Sequence, residues 1–370
     1  MSGVAPLPTP LRMQRGGELF EGVVAFESWG SPTTARDNTI LLYTGLSPSA
    51  HAAATPDDPR PGWWDPLIGP GRALDTDRYH VVCVNSLGSC FGSTGPASND
   101  PRTGRRYGKD FPELALEDIA RGGRAVLDHL GIEQAHTLAG ASQGGMVVLA
   151  HAALFPGDAQ HLLSISGTAA ATPYAIALRS IQRDAVAADP AFLQGDYPTD
   201  APPRNGLALA RKIGTVTYRS ADELQQRFGR APSREGRDFA VQDHLAQQGA
   251  RFADRFDAHC YLQLSRAMDR FDLAAHGDPV QVLRRAALRS ALVIGVRRDA
   301  LFTLAEQAAL AALLRAAGVD TEFAELDSLT GHDAFLVDFA SFDALLRPWF
   351  AARTPGASCP AATEAAPNAT

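Results

Sequence analysis

The stretch HTLAGASQGGMVVLAHAALFP (136–156) changes character in its middle. HTLAGAS (136–142) is a short apolar run ending on small residues, as in a buried strand. GGMVVLAHAALFP (144–156) then has helical periodicity and a proline stop. Between them stands Gly140-Ala141-Ser142-Gln143-Gly144, a G-x-S-x-G pattern. A strand that turns at once into a helix holds the central residue in a strained backbone conformation, so its neighbours must be small. Ser142 then sits exposed at the turn, where the helix N-terminus aims backbone N–H groups at any charge developing beside it. The alternative reading of the same turn is a serine that only caps the helix.

Outward from this turn, short apolar runs alternate with helical ones. NTILLYTGL (38–46), YHVVCVNSLG (79–88), HLLSISG (161–167), SALVIGV (290–296) and TEFAEL (321–326) read as further buried strands. ELALEDIARGGRAVLDHLG (113–131) and LAEQAALAALLRAAG (304–318) read as helices. The alternation implies an α/β protein with a mostly parallel central sheet covered on both faces. With the serine turn it gives the α/β-hydrolase fold. Residues 172–288 carry helical, Arg-, Asp- and Gln-rich patterns without a clear strand, and are expected to form a helical lid inserted between two strands. The expected division is a surface extension at 1–17, a core at 18–171 and 289–353, the lid at 172–288, and a disordered Ala/Pro/Thr tail at 354–370.

The chain has 34 Lys and Arg against 41 Asp and Glu, a net charge of -7, which speaks against a nucleic-acid partner. Its four cysteines, Cys83, Cys90, Cys260 and Cys359, form no C-x-x-C pair, so a zinc site is not expected and free thiols in a reducing compartment are. No run approaches the ~20 apolar residues of a membrane span. A cytoplasmic protein with small-molecule substrates, no metal and no membrane partner is therefore expected.

A serine hydroxyl needs a base. In this fold the chain order is serine, acid, histidine. His244, His259 and His276 all lie in the expected lid, whereas His332 follows the last strand in Gly331-His332-Asp333-Ala334-Phe335. His332 is the expected base. The acid belongs after the preceding strand, where GVRRDALF places Asp299; Asp327 competes, closer to His332 in sequence but after the wrong strand. The oxyanion hole needs two donors, assigned to the backbone N–H groups of Gln143 and, in the loop GLSPSAH (45–51), of Leu46.

Several longer motifs narrow the reaction. GWWDPLIGPGRALDTDRYHVVCVNSLGSCFGSTGPAS (62–98), GASQGGM (140–146), LARKIGTVTYRSADELQQRFGR (209–230), DALFTLAEQ (299–307) and GHDAFL (331–336) resemble, in order, the homoserine/serine O-acyltransferase family. The resemblance implies a two-step transfer: an acyl-CoA acylates the serine, then the hydroxyl of a small amino acid takes the acyl group. It also implies a homodimer and no cofactor beyond the acyl-CoA co-substrate. Carried over by position, Arg211 corresponds to a binder of the acceptor's carboxylate and Asp333 to a binder of its ammonium.

Two positions depart from the family pattern. Gln143 stands where Met is usual, and a polar side chain is expected to enter the acyl pocket. GLSPSAHA replaces a loop that resembles ALTGDAH in homoserine acetyltransferases. Together with NSLGSC it resembles the serine O-succinyltransferase subgroup of cysteine biosynthesis, with Leu46, Ser47, Pro48 and Ser49 helping to choose serine over the longer homoserine. A succinyl donor brings a carboxylate that needs a cation in the acyl pocket. Arg179 in TPYAIALRSIQRDA (172–185) is the expected partner, with Arg183 one turn on as the reserve. Homoserine O-acyltransfer, plain serine hydrolysis and a catalytically silent ligand binder remain the competing readings.

Overall fold

A computed structural model describes residues 1–356. Its main sheet has eight strands: β1 (Ser2–Pro6), β2 (Val23–Trp29), β3 (Thr39–Tyr43), β4 (His80–Val84), β5 (Ala135–Ala141), β6 (Ala159–Ile165), β7 (Ser290–Val296) and β8 (Asp320–Leu326). They lie in the order β1-β2-β4-β3-β5-β6-β7-β8. Only the β1–β2 and β2–β4 pairs are antiparallel; the rest are parallel. Every residue of β3, β4, β5 and β7 is buried, as expected of parallel strands covered on both faces. Helices α1 (Leu116–His129), α2 (Gln143–Leu154) and α9 (Leu304–Ala316) supply one apolar layer. Phe342, Leu346, Trp349 and Phe350 of α10 (Phe339–Ala351) pack on the other face with Trp64, Leu67 and Leu74.

The N-terminal residues depart from expectation. Residues 1–17 are not a surface extension. Ser2 pairs with Glu27 and Pro6 with Val23 across the sheet edge, and Ala5, Leu7, Leu11 and Met13 are buried. Pro6, Pro8 and Pro10 hide the strand in a sequence reading, but an edge strand tolerates proline because its outer N–H groups have no partner to lose. The strand that follows, VVAFESW in β2, was not singled out either, although it alternates buried and half-buried residues along its whole length.

The insertion between β6 and β7 holds α3 (Pro173–Ala187), α4 (Arg204–Tyr218), α5 (Ala221–Phe228), α6 (Ala240–Ala253), α7 (Ala258–Arg270) and α8 (Pro279–Arg285). Thr172 caps α3, its side chain accepting from Ala175 N–H, so the insertion starts where expected. It closes earlier than residue 288. Ala170 bridges Asp272, and Leu273 N–H donates to Ala169 O at 2.8 Å, which pinches the two stems together. Beyond that point α8 packs on α2 and α9 beside the sheet. Its apolar stripe looks no different in sequence from that of a lid helix. Of the expected tail, residues 357–370 lie outside the described residues.

Candidate active site

Ser142 sits at the junction of β5 and α2 with φ 57° and ψ -121°. A left-handed backbone at a non-glycine residue costs roughly 1–3 kcal/mol and persists only where the surroundings impose it. Here they do. A Cβ on Gly140 would collide with the backbone of Gly144, and one on Gly144 would collide with Tyr43 O. Ser142 N–H also donates to Ile165 O at 2.9 Å. The side chain makes no helix-capping bond, which removes the alternative reading of a simple cap. Its Oγ lies 2.9 Å from His332 Nε2 instead.

His332 opens a short 3₁₀ turn, His332–Leu336, in the loop after β8. Its Nδ1 lies 2.7 Å from Asp299 Oδ2, in the loop after β7. The other oxygen of Asp299 accepts the N–H groups of Leu301 and Phe302, each at 2.9 Å, which fixes the carboxylate. The imidazole stacks on Phe302 at 5.2 Å and meets the edge of Phe335 at 5.7 Å. Burial pushes its pKa down, but the charge and hydrogen bond of Asp299, with Asp333 behind, outweigh burial and leave it raised. Asp327 points away, 65% exposed and paired with Arg298. The other three candidate histidines are occupied elsewhere: His244 lies on Phe228, His259 meets Gly195 O, and His276 pairs with Glu117.

Three groups in series at these distances can pass the Ser142 proton to the imidazole, with the carboxylate orienting the ring and stabilising its charged form. Among the described residues, the N–H groups of Leu46 and Gln143 meet no acceptor, so both remain free for an oxyanion. A pocket of about 30 Å³ adjoins Ser142 and His332, walled by Leu46, Met268, Leu301 and Phe302.

Residues 60–339 match the family described as the alpha/beta hydrolase fold. A serine O-succinyltransferase of Litchfieldella anticariensis is 51% identical, covering 93% of this chain and 97% of that protein. The chain belongs to the homoserine/serine O-acyltransferase family. An L-serine/homoserine O-acetyltransferase of Streptomyces lavendulae is 49% identical, covering 91% of this chain and 93% of the relative. Among solved structures, esterase E22 superposes with a TM-score of 0.86 at 26% identity, covering 94% of this chain and 99% of that one.

The residues that the family resemblance singles out are distributed unevenly. Arg179 lines the pocket beside Ser142, 6% exposed. Its Nε bonds Asp269 Oδ1 at 2.5 Å, while its Nη2 is buried without a partner. Arg183 lies behind, its Nη1 2.6 Å from Asp269 Oδ2 in a charge contact and 2.9 Å from Ser265 Oγ. Arg211 stands one layer out, its guanidinium over the rings of Tyr218 and Phe252 at 5.4 and 5.1 Å. Asp333 Oδ2 is 3.2 Å from Arg219 Nε, a charge contact outside hydrogen-bond alignment. Burial raises the pKa of Asp333, with Arg219, His332 and Arg211 pulling it back.

Of the loop Leu46-Ser47-Pro48-Ser49, only Leu46 reaches the pocket wall. The Gln143 side chain does not enter the pocket, contrary to expectation. It is wholly buried and turns back to Ser86, its Nε2 donating to Ser86 Oγ at 3.2 Å. Tyr218, Gln182, Met268 and Asp269 were missed by the sequence reading. Tyr218 lies inside the quoted family motif, but Met268 and Asp269 sit on a lid helix with no local signal.

Deprotonated His332 is the form that can take the Ser142 proton. Modification of Ser142 by a fluorophosphonate should therefore speed up as pH rises, with a midpoint above the ordinary 6.5. In Asp299→Asn the carboxylate's charge is gone and burial is not, so the midpoint should move to lower pH. The plateau should fall by on the order of 10³–10⁴-fold. A pH–rate series on both proteins checks this, and an unmoved midpoint would detach Asp299 from His332.

Proposed function

We propose that this chain is an L-serine O-succinyltransferase working through a Ser142 acyl-enzyme. In the first half-reaction Ser142 Oγ attacks the thioester carbonyl of succinyl-CoA while His332 takes its proton. The tetrahedral oxyanion is met by the N–H groups of Leu46 and Gln143. Collapse breaks the C–S bond, and the CoA thiolate leaves with the proton from His332. In the second half, His332 takes the proton of the L-serine hydroxyl, whose oxygen attacks the acyl-enzyme. O-succinylserine departs and the proton returns to Ser142 Oγ. The succinyl-CoA is a co-substrate, and no metal or other cofactor takes part.

The observation that carries the donor assignment is Arg179: a buried guanidinium in the serine's own pocket with an unpartnered Nη2. Asp269 meets the charge of Arg179 at Nε but is shared with Arg183, and a carboxylate entering the pocket would satisfy the Nη2 donor that is left over. The serine O-succinyltransferase of L. anticariensis, about half identical in sequence, supports the same donor and acceptor. Leu46 to Ser49 are assigned to acceptor choice, with Leu46 acting directly and the rest through the loop's shape. The first alternative is homoserine as acceptor or acetyl as donor, favoured by the name of the Streptomyces relative. Hydrolysis is the second, favoured by the likeness to esterase E22. Thiol release should be followed for succinyl-CoA and acetyl-CoA against L-serine and L-homoserine, with free succinate assayed when no acceptor is present. The expected preference is succinyl-CoA with serine, and Arg179→Ala should lose at least tenfold in kcat/KM for succinyl-CoA relative to acetyl-CoA. An equal fall with both donors would remove Arg179 from donor choice.

Arg211 and Asp333 are assigned to the acceptor's carboxylate and ammonium. They share one electrostatic neighbourhood, since each acts on the ionisation of Tyr218. The contact of Asp333 with Arg219 must then loosen or be shared when an ammonium arrives. Replacing either residue with Ala should slow transfer to serine by tenfold or more while leaving single-turnover acylation within about threefold. Equal damage to the two half-reactions would overturn the assignment.

A homodimer is proposed as the working form, in the cytoplasm. Tyr174 and Ile181 on α3, and Leu209 and Val216 on α4, are large apolar residues between 46% and 58% exposed on two helices that pack together. Light scattering should give twice the chain mass, and the pair Ile181→Asp and Leu209→Asp should halve it. A monomeric wild-type protein would refute the dimer. Free Cys83, Cys90 and Cys260 support a reducing compartment.

A further inference from the structure

The two oxyanion-hole donors belong to separate pieces of chain, Leu46 after β3 and Gln143 at the start of α2. Their spacing must hold to within a few tenths of an ångström for both to reach one oxygen. Backbone contact supplies part of the coupling. Gly144 lies so close to the Tyr43–Thr44 backbone that a Cβ there would stand 3.1 Å from Thr44 O. A side-chain relay supplies more. Gln143 Nε2 donates to Ser86 Oγ at 3.2 Å, and Ser86 Oγ lies 3.0 Å from Thr44 Oγ1. All three residues are at most 2% exposed. Ser86 sits in a third segment, the loop after β4, so the relay ties the nucleophile turn to the oxyanion loop through a residue that does not line the pocket.

The relay is not an efficient way to stabilise the fold. Gln143 Oε1 is buried without a partner, as are both amide atoms of neighbouring Asn85. An orphaned buried acceptor is destabilising, and an apolar side chain of similar length would avoid it. A buried polar group that breaks this local rule next to a nucleophile points to function.

We infer that Gln143 is a positioning residue: its side chain, through Ser86 and Thr44, sets the distance between the two oxyanion donors. This rests on the reading of Ser142 as the nucleophile. It does not rest on which acyl donor or acceptor is used. The variants Gln143→Met and Thr44→Val cut the relay at each end, and Thr44→Ser keeps its hydroxyl. Burst acylation by p-nitrophenyl acetate reports the Ser142 step alone, and succinyl-CoA acylation reports it with the proposed donor.

Gln143→Met should acylate about tenfold more slowly with KM within twofold and a melting temperature equal to or above wild type. That loss is well below the roughly 10²–10³-fold cost of removing an oxyanion donor outright. Thr44→Val should lose a similar factor, the double variant little more than either single one, and Thr44→Ser should stay within twofold of wild type. Wild-type acylation rates in Gln143→Met would overturn the inference. So would losses that multiply in the double variant, or that track a falling melting temperature. A wild-type protein that shows the ester burst but no succinyl transfer to serine would fail the proposed function and leave this inference standing. A wild-type protein acylated by neither donor would fail both.

Discussion

Much of this molecule depends on one backbone conformation, the left-handed turn at Ser142. The turn is imposed rather than chosen by its residue. Two glycines let α2 press against the ends of β3 and β5, and a Cβ at either would meet backbone. The fully buried strands around it give the contact no room to relax. In return the serine Oγ leaves the helix cap unmade and points at His332, while the first N–H of α2 stays unpaired. The strain is local, and the parallel sheet is what resists it.

A second constraint is the dry setting of the charges. Asp299, His332 and Arg179 are each at most 6% exposed. In such surroundings a carboxylate anchored by two amides holds the imidazole against the pull of burial, and a cation in the pocket has few ways to be satisfied. The apolar wall of Leu46, Met268, Leu301 and Phe302 keeps those interactions strong and limits access of water to the serine. This is also the physical reason for favouring transfer over hydrolysis in the proposed reaction.

The insertion contributes four of the nine residues that line the pocket. Arg179 and Gln182 come from α3, Tyr218 from the end of α4 and Met268 from α7. Asp269, next to Met268, grips Arg179 and orients it, so the cation is placed by one lid helix and held by another. The pinch between Ala170 and Asp272 makes these helices one unit hung over the carboxyl ends of β5, β7 and β8. The buried arginines lie in the lid, while Ser142, Asp299 and His332 lie in the loops at the strand ends.

The sequence was most informative where chemistry and local structure coincide. The alternation of apolar runs and helices placed the central strands within a few residues, because buried parallel strands and their helices are continuous stretches with Gly and Pro stops. The order of Ser142, Asp299 and His332 followed from which loop follows which strand, and the structure brings these three together. The edge strand Ser2–Pro6 escaped notice because prolines disguise it. The end of the insertion escaped because α8 has the same amphipathic pattern whether it packs on lid or sheet. Gln143 shows the limit most plainly: its position beside Ser142 was readable, but its direction was not. A side chain's direction depends on which distant segment offers a partner, and Ser86 is 57 residues away. The sequence alone determined the fold class and the chain order of the reacting groups, since both are encoded in local periodicity and spacing. Only the tertiary structure decided where the side chains of Gln143, Arg179 and Asp333 point, since those contacts form between elements far apart in the chain.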